Sequence, residues 1–469
     1  MYSSKLVDVF YTLSKKQLRA LRKFVRSPYH NKRQDVIDLF DLMYKTPLDN
    51  RIALRKEKVF PKLFGKEPYS ADKVDYVMSF LFKVIEEFLI HQQATNHSTK
   101  AKMLLADSYL DLGLPKHFQQ TLKLAEKELE KNSLRDIRYY EQSFSMESQN
   151  LNFLSKSQRN TSINLQEVST KLELRFLAQK LKQTCLMLAR QAVYKRQYDF
   201  GLLDVLLPYI ETHPNILEHK AISIYYYYYQ AVTNQTEDEL YFQKFKSIFL
   251  ESNNVFNKKE FQDIYIAAVN YCIKKVNIGQ PEYQQELFEF YNAGLEFSIL
   301  FDANNNLSPF TFSNIVKLAL RLHKLDWTAE FIEKYKHQVE ERYHGTYIHD
   351  AYSMLYFSQG KYQETMIRLQ QLNSEELFIT LNSKVLLCKV YYHLEEYDVL
   401  ESFLNSFMVF LRRKDILAYH RDIYKSFIRF TQKLINLPPF NKAERVKLRA
   451  DIEGTQKLLE KNWLLEQLA

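Results

Sequence analysis

Residues 318–335 read LALRLHKLDWTAEFIEKY, residues 352–369 read YSMLYFSQGKYQETMIRL, and residues 388–405 read CKVYYHLEEYDVLESFLN. In each, an apolar helical pattern meets a short turn and an aromatic opens a second helix. Trp327, Tyr362 and Tyr397 are those aromatics, each 35 residues from the next. A period of that size marks a helical hairpin that hides its apolar face only by stacking on its neighbours. Such units build a surface rather than a reaction centre, so an all-helical binding or scaffolding protein is expected.

Looser copies lie upstream. Tyr109 with Phe118 flank DLGLPKHF, Tyr194 and Tyr198 flank KRQ, and Tyr271 with Tyr283 flank KKVNIGQPEY. Their turns differ in length, so the stack is expected to be irregular in its first half. The 469 residues contain only 8 Gly and 11 Pro, too few for a many-stranded or disordered chain, while 33 Tyr and 33 Phe supply thick interhelical layers. Four regions are expected: a basic helical domain over 1–97, an irregular hairpin array over 98–310, regular repeats over 311–410 and capping helices over 411–469.

Within 1–97, Ser14 is placed to cap LSKKQLRALRKFVRS, whose Leu18, Leu21 and Val25 make an apolar face. Ser27-Pro28 stops that helix. QDVIDLFDLMY should bury Val36, Ile37, Leu39, Phe40 and Met43, and KEKVFPKLFG reads as a short helix interrupted at Pro61. After Ser70, Val74, Val77, Met78, Leu81, Val84, Ile85 and Phe88 form one broad stripe. Further on, a break is expected from Asn160-Thr161 to Leu165, a stop at Pro438-Pro439, and a long polar helix from Lys442 to about Leu465.

Charge is uneven. Residues 1–66 carry 16 Lys/Arg against 6 Asp/Glu, residues 67–411 carry 36 against 43, and residues 412–469 carry 13 against 7. Basic ends and an acidic middle would suit a phosphate-rich partner or the middle of a second copy. Cys185, Cys272 and Cys388 are far apart, without disulfide or metal spacing, which fits a reducing compartment. The first residues lack a signal-peptide pattern, and no apolar run approaches ~20 residues. A cytoplasmic protein without membrane insertion is expected.

The units at Trp327, Tyr362 and Tyr397 resemble tetratricopeptide repeats. In the middle copy Tyr356, Gly360 and Tyr362 match the tyrosine, turn glycine and following aromatic of that pattern. Lys324 and Glu395 replace the glycine in the other two, and Ala329, Glu364 and Val399 stand near a position where the family prefers alanine. About 100 residues carry the likeness well. The resemblance implies a right-handed hairpin solenoid with a groove for a peptide or partner protein. LSKKQLRALRKFVRSPYHNK, VFPKLFGKEPY and the EEFL at Glu86–Leu89 also resemble the opening of large helical proteins of unassigned function from the Bacteroidota, which implies a bacterial source and no activity.

Chemistry-bearing residues are sparse. His337, Glu341 and His344 would share a helix face, with His349 or Asp350 beyond, yet the spacing is no zincin pattern and reads first as a solvated helix end. Glu86 and Glu87 are adjacent and point about 100° apart on a helix. No phosphate-binding glycine loop is present, since GKEP lacks the upstream glycine and the Lys-Ser/Thr pair. No enzyme, cofactor or metal is expected. Lys15, Arg19, Arg22 and Arg26 are spaced 4, 3 and 4, one stripe that reads as solvated surface, as a phosphate contact or as a protein contact. Lys16, Lys23, His30, Lys32 and Arg33 lie around it. Tyr225 and Tyr229, four apart in a run of five tyrosines, fill a core or form a ligand platform. Tyr356 and Tyr391 read as packing residues that edge a groove. The leading expectation is a non-enzymatic protein-interaction scaffold. The alternative is nucleic-acid or nucleoprotein binding through the basic N-terminal domain, and a homo-oligomer joined by basic ends and acidic middles is a third reading.

Overall fold

The computed structural model describes residues 3–96, 98–157, 163, 165–194, 196–372, 374, 376–413, 418–438, 441–456 and 458–468. Among them the protein is all-helical, with one isolated bridge, Phe301 to Leu307, outside the helices. No helix among the described residues is long and apolar enough to cross a membrane. Two compact units divide the chain: residues 1–229 with 254–256, and residues 230–253 with 257–469.

The first unit holds α1 (Lys5–Thr12), α2 (Lys15–Val25), α3 (Gln34–Lys45), α4 (Lys56–Phe64), α5 (Ala71–Asn96), α6 (Ser98–Asp111), α7 (Pro115–Lys131), α8 (Ile137–Ser157), α9 (Leu165–Tyr194) and α10 (Leu203–Thr212). α11 (Lys220–Thr233) runs through the division. α1 to α4 all pack on α5, whose seven stripe residues are all buried as the periodicity requires. Each such burial stabilises the cluster by about 1.5–3 kcal/mol. α4 runs unbroken through Pro61, where an interruption was expected. Its carbonyl left without a partner belongs to exposed Glu57 in the first turn, where water can replace the missing bond. α6 and α7 form the hairpin read around DLGLPKHF, and α8 packs on α6, α7 and α9. The break expected at Asn160-Thr161 and Lys195 of the KRQ turn lie outside the described residues.

The second unit continues with α12 (Asp238–Leu250), α13 (Lys258–Asn277), α14 (Tyr283–Glu296), α15 (Pro309–Arg321), α16 (Leu325–Tyr335), α17 (His349–Ser358), α18 (Tyr362–Gln371), α19 (Leu377–His393), α20 (Tyr397–Arg413), α21 (Ala418–Ile435), α22 (Lys442–Gly454) and α23 (Lys461–Glu466). Phe242, Phe249, Tyr271, Tyr283 and Phe290 pack between α12, α13 and α14. α15 packs on α16 and α17, and α17 packs on α16, α18 and α19. α21 ends at Ile435, before Pro438; Pro439 lies outside the described residues.

Several of these helices end alike. Gly113, Gly279, Ser298, His323, Gly360 and Glu395 all have positive φ, between 56° and 92°. At each, the next N–H reaches a carbonyl five residues back: Lys324 to Ala319 at 3.0 Å, Lys361 to Tyr356 at 2.9 Å, Glu396 to Tyr391 at 3.0 Å. This is the Schellman closure, which satisfies carbonyls that the helix end leaves open. It also corrects the alignment read from the sequence. The residue standing where Gly360 does is His323, not Lys324, so the structural spacings are 37 and 35. Leu325, Tyr362 and Tyr397 open the second helices, and Trp327 comes third in its own. The tightly buried position of those helices is Thr328, Thr365 and Leu400, rather than Ala329, Glu364 and Val399.

The C-terminal end also departs from the expected single helix. α22 stops at Gly454, and α23 begins after Glu460, whose φ is 54°. The break lets Trp463 turn into the core against Tyr392, His393 and Phe427, with its indole N–H donating to His393 Nε2 at 3.2 Å. Burial, and then Lys389, hold His393 below the usual imidazole range, which keeps Nε2 free to accept.

Candidate functional site

α2 is started by a capping box: Ser14 Oγ accepts from Gln17 N–H at 3.3 Å, and Gln17 Oε1 accepts from Ser14 N–H at 3.0 Å. Leu21 and Val25 are buried in the cluster around α5, and Gln17 Nε2 donates to Gln92 of α5 at 3.3 Å. The helix is thereby fixed in rotation, and Lys15, Lys16, Arg19, Arg22, Lys23 and Arg26 all come to the exposed side. α2 carries no acidic residue. Like charges three and four apart oppose a helix by about 0.2–0.5 kcal/mol per pair, and lysines in the first turn oppose the helix dipole.

Part of this charge is met from α3. Asp41 pairs with Arg26 and lies 3.6 Å from Arg22, whose guanidinium sits 5.5 Å from the Tyr44 ring centre. Among the described residues no ion pair involves Lys15, Lys16, Arg19 or Lys23. Arg33 serves the fold instead. It is bonded to Asp35 at 2.6 and 3.0 Å, lies over Tyr76 and Phe80, and Asp35 holds its guanidinium above the usual range.

The turn after α2 contains a residue the sequence reading passed over. Tyr29 is 90% exposed. The turn is well braced: buried Asn31 donates to Val25 and Arg33 carbonyls at 3.0 and 3.1 Å and accepts from Arg33 N–H at 3.0 Å. His30 stacks on Phe24 at 3.6 Å and meets the edge of Tyr29 at 5.0 Å. The only signal for Tyr29 was an aromatic in a proline turn beside the basic helix.

The tyrosines divide. Tyr225 is buried, and its carbonyl accepts from Cys185 Sγ at 3.4 Å; Tyr229 is half-buried and edge-on to Phe200 at 6.4 Å. Tyr356 and Tyr391 occupy equivalent positions, both supplying the carbonyl that closes their turn. Tyr356 stacks on Tyr352 at 5.8 Å beneath Arg368, and Tyr391 packs edge-on to Phe403 at 5.7 Å. Both are half-buried between helices. Trp327 stacks on Phe331, Tyr362 stacks on His393, and Tyr397 meets Tyr392 edge-on.

At the starts of two of the first helices, phenylalanines are more open. Phe310 of α15 is 61% exposed and meets Tyr347 edge-on at 5.8 Å. Tyr347, just before α17, donates to Glu376 at 2.9 Å, two residues from Phe378, which is 52% exposed at the start of α19.

His337, Glu341 and His344 do not share a helix. Two short 3-10 turns and a π turn cover Lys336–Gln338, Glu341–Tyr343 and His344–Ile348, because Val339 and Glu340 are extended between them. His344 Nε2 is instead 2.7 Å from the Val339 carbonyl. Among the described residues no group of three His, Cys, Asp or Glu is placed to hold a metal. All three cysteines are buried, and burial pushes each thiol well above its usual range. Glu86 and Glu87 are exposed on α5. Two clefts of about 280 and 340 Å³ flank α8, one beside Leu122, Met146 and Lys171, the other beside Lys100, Met103 and Arg138. Compared with protein-family models, with curated proteins and with solved structures, the chain matches none.

Proposed function

We propose that the protein is a non-enzymatic interaction scaffold, in which a tetratricopeptide-like, right-handed stack of hairpins takes a peptide or helix of a partner protein. The reading is carried by one observation: exposed Phe310 and Phe378 stand at the starts of the first helices of the first and third hairpins, and Tyr347, just before the hairpin between them, meets Phe310 and bonds Glu376 beside Phe378. Large apolar side chains left in water on a repeated framework favour a partner that removes them from it. The serial packing of α15 on α17 and α17 on α19 is the arrangement a solenoid needs. Three free, buried cysteines fit a cytoplasmic location.

Peptide selection from a displayed random library tests this reading. Binders should emerge that lose affinity at least tenfold for Phe310→Ser/Phe378→Ser and keep it for Ile367→Ser, an exposed apolar control on α18. A library that yields no binder, or binders indifferent to both phenylalanines, removes the proposal.

A further inference from the structure

We infer that the exposed face of α2, together with Tyr29, is a docking strip for single-stranded nucleic acid. Lys15, Lys16, Arg19 and Lys23 have no ion pair among the described residues, while Asp41 fixes Arg22 and Arg26 beside them. With a rise of 1.5 Å per residue, the cations from Lys15 to Arg26 extend over about 16 Å. α2 holds together despite its own repulsion, because Leu21 and Val25 anchor it to the cluster and Ser14 caps it. A polyanion laid along the strip would relieve that repulsion and release counterions.

Tyr29 decides which polyanion. Its ring is presented to solvent by a turn that Asn31 braces, three residues beyond Arg26. A basic track with a bare aromatic at its end is how single strands are held without sequence preference, since every base has a face to stack. A duplex keeps its bases stacked inside and offers that ring little. An acidic peptide would use the cations and leave Tyr29 idle. Insertion into a lipid surface is disfavoured, because the apolar side of α2 is already buried in the protein. The inference stands apart from the peptide-binding reading, which concerns other residues.

The test is fluorescence anisotropy of the full chain with labelled 15-nucleotide oligo(dT) and oligo(U), a duplex of equal length and a polyglutamate peptide, over 50–300 mM salt. Single strands should bind tightest, with log K falling against log salt at a slope of about −3, four released contacts at ~0.7 each. Lys15→Ala/Lys16→Ala/Arg19→Ala/Lys23→Ala should cut affinity at least tenfold and flatten the slope. Tyr29→Ala should cut it about fivefold or more with the slope unchanged, and Tyr29→Trp should restore it. All these side chains are exposed, so circular dichroism should match the wild type; melting should match for the Tyr29 variants and be equal or slightly higher for the quadruple variant, which sheds like-charge repulsion. Equal binding of duplex and single strand with Tyr29→Ala silent would overturn the inference, as would tighter binding of polyglutamate. An equal loss from Lys116→Ala/Lys123→Ala/Lys127→Ala/Lys131→Ala on α7 would do the same.

Discussion

Residues 3–96 and residues 309–413 are both built from packed helices, and they dispose of polar side chains in opposite ways. In the first region α1 to α4 share one long partner, α5, and each buries a single side. α2 is thus left with a whole face for water, and that face carries six cations. In the second region helices pack on neighbours in series, so polar groups are caught inside. Thr328, Ser353 and Thr365 are fully buried, and each turns its hydroxyl back onto a carbonyl of its own helix at 2.7–2.8 Å. A shared hub leaves room for surface charge; serial stacking forces internal satisfaction.

The largest test of that contrast removes a buried ring from each region. Phe40→Ala and Phe407→Ala should each cost about 3–5 kcal/mol. Hydrogen exchange should show lost protection across all of α1 to α5 for the first, and loss centred on α19 to α21 and fading toward α15 for the second. Uniform loss over 309–413 would break the distinction.

Asp350 is next. Burial pushes its carboxyl up to about 6 from an ordinary 3.8, against the pull of Lys317. As pH rises the unfolded chain releases this proton first, so stability falls between about 3.8 and about 6 and stays lower above. Asp350→Asn should therefore gain about 3 kcal/mol in denaturant at pH 8 and nothing at pH 3.5. Among the described residues of the hub region no such charge is buried, and no equivalent rise with Asp→Asn is expected there.

Turn substitutions come third. Glu395→Gly and His323→Gly should stabilise by about 1 kcal/mol, and Gly360→Ala should destabilise by as much, all from the left-handed backbone they share. A stabilising Gly360→Ala in urea titration would show that the three turns are not equivalent. Tyr265→Phe should gain about 1 kcal/mol, since its buried hydroxyl has no partner. The same change should soften Gly294→Ala, whose added Cβ would lie 2.8 Å from the Tyr265 ring.

The smallest effect is His393. Its lowered pKa means the unfolded chain takes a proton first as pH falls below 6.5, so stability drops with acid. His393→Gln keeps an acceptor for Trp463 and should flatten that slope in melts between pH 7.5 and 5.5.

Local signals were readable from the residues. The stripe on α5 needs only a 3.6-residue period, and Ser14 needs only a cap position, so both stand where the sequence put them. The cation stripe on α2 was legible for the same reason. What depended on distant chain was not. Asp41 reaches Arg22 and Arg26 from another helix. Trp463 bends α22 and α23 apart by docking some 70 residues away on His393. Trp327 misled the alignment because an aromatic at either the first or the third helical position can fill a hairpin interior, while the backbone conformation of His323 leaves no mark in its side chain.

The recurring helix stop has a consequence for inheritance. Its bend is secured by amides and carbonyls that every residue but proline carries, and Gly, Ser, His and Glu all occupy its left-handed position here. A duplicated hairpin of this kind can exchange almost every letter and keep its angle. Divergence in spelling would then run far ahead of divergence in form, and kinship among such units is better sought in their peptide geometry than in their side chains.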